Sequence, residues 1–145
     1  MQALLRAEQQ LNYPTQTVVV ISNRQDAGGL QIAQDQNIPV LVFDDKSYKG
    51  NRSLQEQHIH QALRMHNVEF VILAGYMKVI TADFVNLWQN KIINIHPSLL
   101  PLYPGLHTHE RALAAGDQEH GCTIHWVTAE LDAGEIIAQA RVPVR

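Results

Sequence analysis

Glu69–Ala74 reads EFVILA, Lys91–Ile95 reads KIINI, and between them Thr81 opens a helical stretch that runs through Trp88. Short apolar runs of this kind are what strands covered on both faces look like. Thr81 is suited to an N-cap, because its hydroxyl can accept one of the free amide hydrogens of a helix's first turn. Strand, helix and strand in that order build a layered α/β sheet.

The same alternation extends toward the N-terminus. Thr17–Ile21 (TVVVI) and Pro39–Phe43 (PVLVF) are two further strand-like runs. Gly28–Gln36 carries Leu30 and Ala33 at helical spacing, and Leu54–Asn67 carries Ile59, Ala62 and Leu63. The chain opens with a helix over Gln2–Leu11, whereas a doubly wound domain ordinarily opens with a strand whose following loop binds phosphate at a helix N-terminus.

After His96 the pattern changes. A proline- and glycine-rich loop, PSLLPLYPGLH, leads into a helix over Thr108–Ala115. Cys122–Thr128 and Glu135–Val142 then alternate like half-buried strands, which predicts antiparallel pairing in this later part. No repeat or flexible linker interrupts the chain, so the expectation is one domain over residues 1–145.

Composition narrows the partners. The 145 residues are 46% apolar and 17% charged, with eleven basic and fourteen acidic side chains and a net charge of −3. There is no basic footprint for nucleic acid or an anionic membrane. No apolar run approaches the ~18 residues of a spanning helix. Cys122 is the one cysteine and has no partner for an internal disulfide, which fits a reducing cytoplasm.

Chemistry concentrates in Ile93–Pro104, INIHPSLLPLYP. Asn94 and His96 are two apart at the end of a strand, so their side chains share a face. At the carboxyl end of a parallel strand that face opens on the crevice where α/β domains bind ligands. An amide donor beside an imidazole can hold a developing oxyanion and move a proton. The competing reading makes Asn94 a turn cap and His96 an ordinary strand-end histidine. The stiff loop carrying Pro97, Pro101, Pro104 and Gly105 favours function, since irregular loops held on a rigid sheet often carry it.

A second element is Thr128–Ile137, TAELDAGEII, where Asp132 sits in a glycine-bounded loop. A carboxylate there can stabilise an imidazolium, although Asp-x-Gly alone is also simply a turn. Eight histidines raise the question of a metal. His107, His109, His120 and His125 show neither a His-Glu-x-x-His helix nor a cysteine pair, so no metal is expected.

Asn94 through Pro101, Tyr103 through His109, Gly121-Cys122-Thr123-Ile124-His125 and Leu131-Asp132-Ala133-Gly134, together with Leu73-Ala74-Gly75-Tyr76-Met77, resemble the folate-dependent formyltransferase family. The similarity is greatest to its branch acting on glycinamide ribonucleotide and runs over essentially the whole chain. It implies a Rossmann-like α/β fold, a parallel sheet flanked by helices with a mixed C-terminal part. It also implies 10-formyltetrahydrofolate as co-substrate, a small ribonucleotide as acceptor, and a monomer or homodimer.

By that resemblance Asn94, His96 and Asp132 form the catalytic trio. The folate would lie along Tyr76, Met77, Lys78, Val79 and Ile80, with Val85, Ile92 and Asn94 and the loop residues Thr128, Ala129, Glu130 and Asp132 around it. Core packing is the other reading of Tyr76, Met77 and Val79. The ribonucleotide would meet Gly75, Met77, Ile95 and Pro97. Met1-Gln2-Ala3-Leu4-Leu5 resembles the helix that follows the family's phosphate loop, so a domain is expected without that loop, the first strand or the closing C-terminal segment. Hydrolysis of formyltetrahydrofolate at the same trio, or an inactive remnant, are the alternatives.

Overall fold

A computed structural model describes residues 1–145 as two compact units, Met1–Val68 and Glu69–Arg145. The first contains helix α1 (Gln2–Glu8), strand β1 (Val20–Ser22), helix α2 (Gly28–Asp35), strand β2 (Val40–Val42) and helices α3 (Asp45–Tyr48) and α4 (Arg52–Met65). β1 and β2 pair in parallel, Val20 opposite Val40 and Ser22 opposite Val42. Helix α2 crosses between them and buries Leu30 and Ala33, three apart on one face, against Val20, with Ile38 and Val40 packed alongside. Burying each large aliphatic side chain stabilises by about 1.5–3 kcal/mol, so Leu30→Asp would remove the main apolar anchor of α2.

Caps set the helix starts. The Asn51 side chain accepts the Leu54 N–H at 3.1 Å and begins α4, whose buried face is Gln55, Glu56, Ile59, Ala62 and Leu63. Gln55 is polar yet 1% exposed, and its amide donates to the Phe43 carbonyl and to Asp45 at 2.7 and 2.8 Å. A buried amide with those partners avoids the cost of an unpaired donor.

The second unit contains strand β3 (Val71–Ala74), helix α5 (Ala82–Leu87), strand β4 (Ile92–His96), helix α6 (Thr108–Ala115) and strands β5 (Glu119–Trp126) and β6 (Ile136–Pro143). Its four strands lie in the order β3-β4-β5-β6. β3 and β4 are parallel, and β5 and β6 follow antiparallel. The Thr81 hydroxyl accepts the Phe84 N–H at 3.3 Å, as its sequence position predicts, and α5 buries Phe84 and Val85. Gly116, with φ +73, ends α6 in the left-handed conformation that a glycine adopts without steric penalty.

The α/β alternation and the antiparallel C-terminal part are those read from the sequence. Two details differ. The apolar runs suggest strands covered on both faces, but in β3 alternate residues are exposed, and every residue of β6 is exposed. An apolar run reads alike whether or not neighbours cover it. Helix α3 has no counterpart in the sequence reading, because four residues are too few to show a period. β1 has β2 as its one strand partner and β3 has β4, so each of these strands keeps one edge without a ladder.

Candidate active site

β4 places Asn94 and His96 on one face, two residues apart as the strand period requires. Antiparallel pairing brings β5 alongside in a register that sets His125 opposite Asn94 and Thr123 opposite His96. The pairing of β5 with β6 then slips: Ile124 faces Ala138 while His125 faces Ile136, which leaves Ile137 as an extra residue. Bulges of this kind bend a strand and re-aim side chains, and they are common beside active sites.

The loop between β5 and β6 delivers Asp132, which has φ +52. Aspartate tolerates that left-handed conformation better than most L-residues, and the turn it makes directs the side chain back toward β4 and β5. Asp132 Oδ1 lies 3.4 Å from His96 Nδ1 and 3.7 Å from His125 Nε2. Its Oδ2 accepts the backbone N–H of Gly105 at 2.9 Å. The three side chains are 5%, 6% and 3% exposed for Asp132, His96 and His125.

Hydrogen-bond partners settle which ring nitrogens carry hydrogen. His96 Nε2 is 3.0 Å from the Tyr103 carbonyl oxygen, which can only accept, so Nε2 donates. Nδ1 is thereby left facing the Asp132 carboxylate. Two lone pairs would repel there, and a proton held between Nδ1 and Oδ1 turns the contact attractive. The arrangement is a buried place to store or hand over one proton.

The loop Pro97–His109 is held by side chains whose bonds end on backbone. Ser98 Oγ donates to the Leu102 carbonyl at 2.5 Å, and Thr108 Oγ1 donates to the Pro97 carbonyl at 2.6 Å. Arg111 donates to the Pro104 carbonyl at 2.6 Å, with its guanidinium 5.3 Å from the Tyr103 ring centroid. The Tyr103 hydroxyl donates to Asp117 at 2.6 Å. That bond, then burial and the Asp117 charge, raises the Tyr103 pKa above the ordinary 10.0, against a smaller opposing effect of Arg111.

A cavity of about 630 Å³ opens over these groups, and its lining includes Asn94, His96, His125 and Asp132. Tyr76, Met77, Lys78, Val79 and Ile80 line it, as do Thr128, Ala129 and Glu130. Gly75, Ile95 and Pro97 also line it. Val85 and Ile92, which the resemblance assigns to folate, are not among the lining residues; they are 6% and 1% exposed, on α5 and at the start of β4. His125, the Tyr103 carbonyl and the Gly105 N–H carry contacts that the sequence reading did not assign. No group of three or more His, Cys, Asp or Glu is arranged to hold a metal ion; His109 and His120 instead bond each other at 2.9 Å.

Known proteins share this arrangement of chain. The formyl transferase family profile matches residues 1–145. Phosphoribosylglycinamide formyltransferase of Haemophilus influenzae is 43% identical over 144 residues, covering 99% of this chain and 68% of that protein. The human trifunctional purine biosynthetic protein adenosine-3 is 41% identical over 145 residues, which is 14% of its own length. The crystal structure of phosphoribosylglycinamide formyltransferase from Brucella melitensis superposes with a TM-score of 0.92 at 45% identity, over 99% of this chain and 73% of that one. The chain belongs to the formyl transferase family, and its relatives there include phosphoribosylglycinamide formyltransferases.

Proposed function

We propose that this protein transfers a formyl group from 10-formyltetrahydrofolate to the amine of glycinamide ribonucleotide, a step of de novo purine synthesis. The observation that carries this reading is the convergence of Asn94, His96 and Asp132 on one cavity. When the amine nitrogen attacks the formyl carbon, the carbonyl electron pair moves onto oxygen. An amide N–H from Asn94 is a donor already in place for that charge, and an imidazolium at His96 would add a nearby positive charge that favours it. Asp132 balances the imidazolium. The bond from carbon to N10 of the folate then breaks; N10 takes up a proton and the amine gives one up. The His96–Asp132 pair is suited to pass that proton, directly or through water.

The cavity also suits the two substrates. Its volume falls in the ~300–1,000 Å³ range of small-molecule sites. Met77 and Leu131, 73% and 62% exposed on its lining, offer apolar contact to a flat heteroaromatic ring. We assign the folate to the side of Tyr76–Ile80 and Thr128–Asp132, and the ribonucleotide to the side of Gly75, Ile95 and Pro97. Met77 lies where both would meet. No helix is long and apolar enough to cross a membrane, and a reducing cytoplasm is the setting that keeps Cys122 a free thiol.

Spectrophotometric measurement of folate deformylation, with and without glycinamide ribonucleotide, tests the proposal. Deformylation that requires the ribonucleotide and yields one formylated product per folate supports it. An equal rate without the ribonucleotide would replace transfer with hydrolysis.

A further inference from the structure

We infer that His125 is a positioning residue, one that holds the Asn94 amide with its NH₂ group, rather than its oxygen, turned toward the His125 ring. The inference rests on the reading of Asn94 as the donor to the formyl oxygen, and it adds a residue to which that reading gives no part.

The argument begins with register. Asn94 on β4 and His125 on β5 are direct cross-strand partners, so their side chains leave the sheet on one face as neighbours. His125 Nδ1 is 3.0 Å from the Trp126 carbonyl oxygen. That oxygen has no hydrogen to give, so Nδ1 carries the hydrogen and the neutral ring offers a lone pair at Nε2. Nε2 lies 3.3 Å from Asn94 Nδ2. A lone pair there accepts an amide N–H and repels an amide oxygen, so the tautomer of His125 sets which way round Asn94 stands.

That choice bears on the reaction. The terminal torsion of an asparagine is broad and roughly two-fold, so the amide alone discriminates weakly between its two orientations. In the reversed orientation the group that should stabilise an oxyanion would present a second oxygen to it. The amide nitrogen has two hydrogens; His125 takes one and leaves the other for substrate. The burial of His125, 3% exposed, keeps water from competing for Nε2.

Asp132 offers the one rival arrangement. Its Oδ1 is 3.7 Å from the same Nε2. A doubly protonated His125 would donate toward Asp132 and turn the Asn94 oxygen, not its nitrogen, toward the ring. The two arrangements differ in a property that can be read directly, the hydrogen on Nε2.

The test combines a spectroscopic reading of the protein with kinetics. Nitrogen-15 NMR of the imidazoles at about pH 8, above the ordinary histidine range, is expected to show His125 as the neutral Nδ1–H tautomer. An Nε2–H tautomer or a doubly protonated ring would overturn the inference. His125→Phe removes the acceptor and is expected to lower kcat on the order of tenfold, less than deletion of an oxyanion donor outright, with KM for both substrates within about twofold. His125→Gln, whose oxygen can accept from Asn94 while its nitrogen faces Trp126, is expected to restore most of that loss. Unfolding midpoints of both variants check that each is folded. In an Asn94→Ala background, His125→Phe should cost nothing further, because there is no amide left to orient. An undiminished kcat in His125→Phe, or a full additional loss in the Asn94→Ala background, would also overturn it. Asn94→Ala at parental kcat would instead withdraw the formyl-transfer reading of the site, and the tautomer would still decide the contact between His125 and Asn94.

Discussion

His96 and Asp132 face each other across 3.4 Å with their side chains all but sealed from water. Because His96 Nε2 is committed to the Tyr103 carbonyl, Nδ1 is the ring nitrogen that faces the carboxylate. Asp132→Asn keeps an oxygen for the Gly105 N–H but has no negative charge to balance an imidazolium. The expected outcome is a kcat lower by roughly 10²–10⁴, the usual contribution of a positioned acid or base, with a nearly unchanged unfolding midpoint. Steady-state kinetics beside a thermal melt checks both halves.

Asn94→Ala removes a donor rather than a charge. Turnover is expected to fall by roughly 10²–10³, the loss seen when one oxyanion donor is deleted, with a smaller change in folate affinity. Kinetics and a folate titration give the two numbers. A kcat within twofold of the parent would reduce Asn94 to a structural part of β4.

Thr123 bonds to the loop that follows β4 and has no exposure at all. Its hydroxyl donates to the Ser98 carbonyl at 2.7 Å and accepts from the Leu100 N–H at 3.0 Å and the Gln139 amide at 2.9 Å. Thr123→Val keeps the shape but leaves the Ser98 carbonyl and the Leu100 N–H without this partner, while the exposed Gln139 keeps its bond to the Leu100 carbonyl. We expect a loss of about 1–3 kcal/mol for each group left unsatisfied, read as a lower urea midpoint at unchanged slope.

Gly134 follows Asp132 by two residues, and a Cβ there would collide with the Trp126 carbonyl. Backbone cannot step aside as a flexible side chain can. Gly134→Ala is expected to destabilise by about 1–3 kcal/mol, as overpacking does, and to displace Asp132. Thermal unfolding and kcat should therefore fall together, in contrast to Asp132→Asn.

Tyr103 supplies a pH signature. Its proton is held by the bond to Asp117, so its folded pKa is raised above 10.0. A raised value means that this contribution to stability is fully present below the ordinary tyrosine range and is lost as pH climbs through the folded value. Ultraviolet titration should show Tyr103 ionising late, and Asp117→Ala should bring it down.

How far the sequence reveals all this depends on whether the information is local. Helix α6 runs over Thr108–Ala115 as read, because Gly116 marks its end. Asn94 and His96 are legible as one face because a strand's period is two residues. His125 is not, since its partnership with Asn94 depends on a cross-strand register that neither strand spells out. The placement of Val85 and Ile92 at the folate came from family likeness, and their burial in the interior is a matter of packing that no motif records. The strands' exposed residues were equally hidden, since apolar side chains look the same on covered and open faces.

The Tyr103 carbonyl and the Gly105 amide, which hold His96 and Asp132, are main-chain atoms. Every genetic code word except proline's supplies both groups, so replacing these two residues one at a time leaves the atoms themselves in place. A mutational scan would thus register position 105 for its left-handed φ of +79 and position 103 for its ring, and would miss the part their backbones play. An amide-to-ester exchange, made by chemical synthesis between residues 104 and 105, deletes the one N–H that Asp132 accepts. The His96–Asp132 pair is in this sense fastened by chemistry that natural variation can bend but not remove.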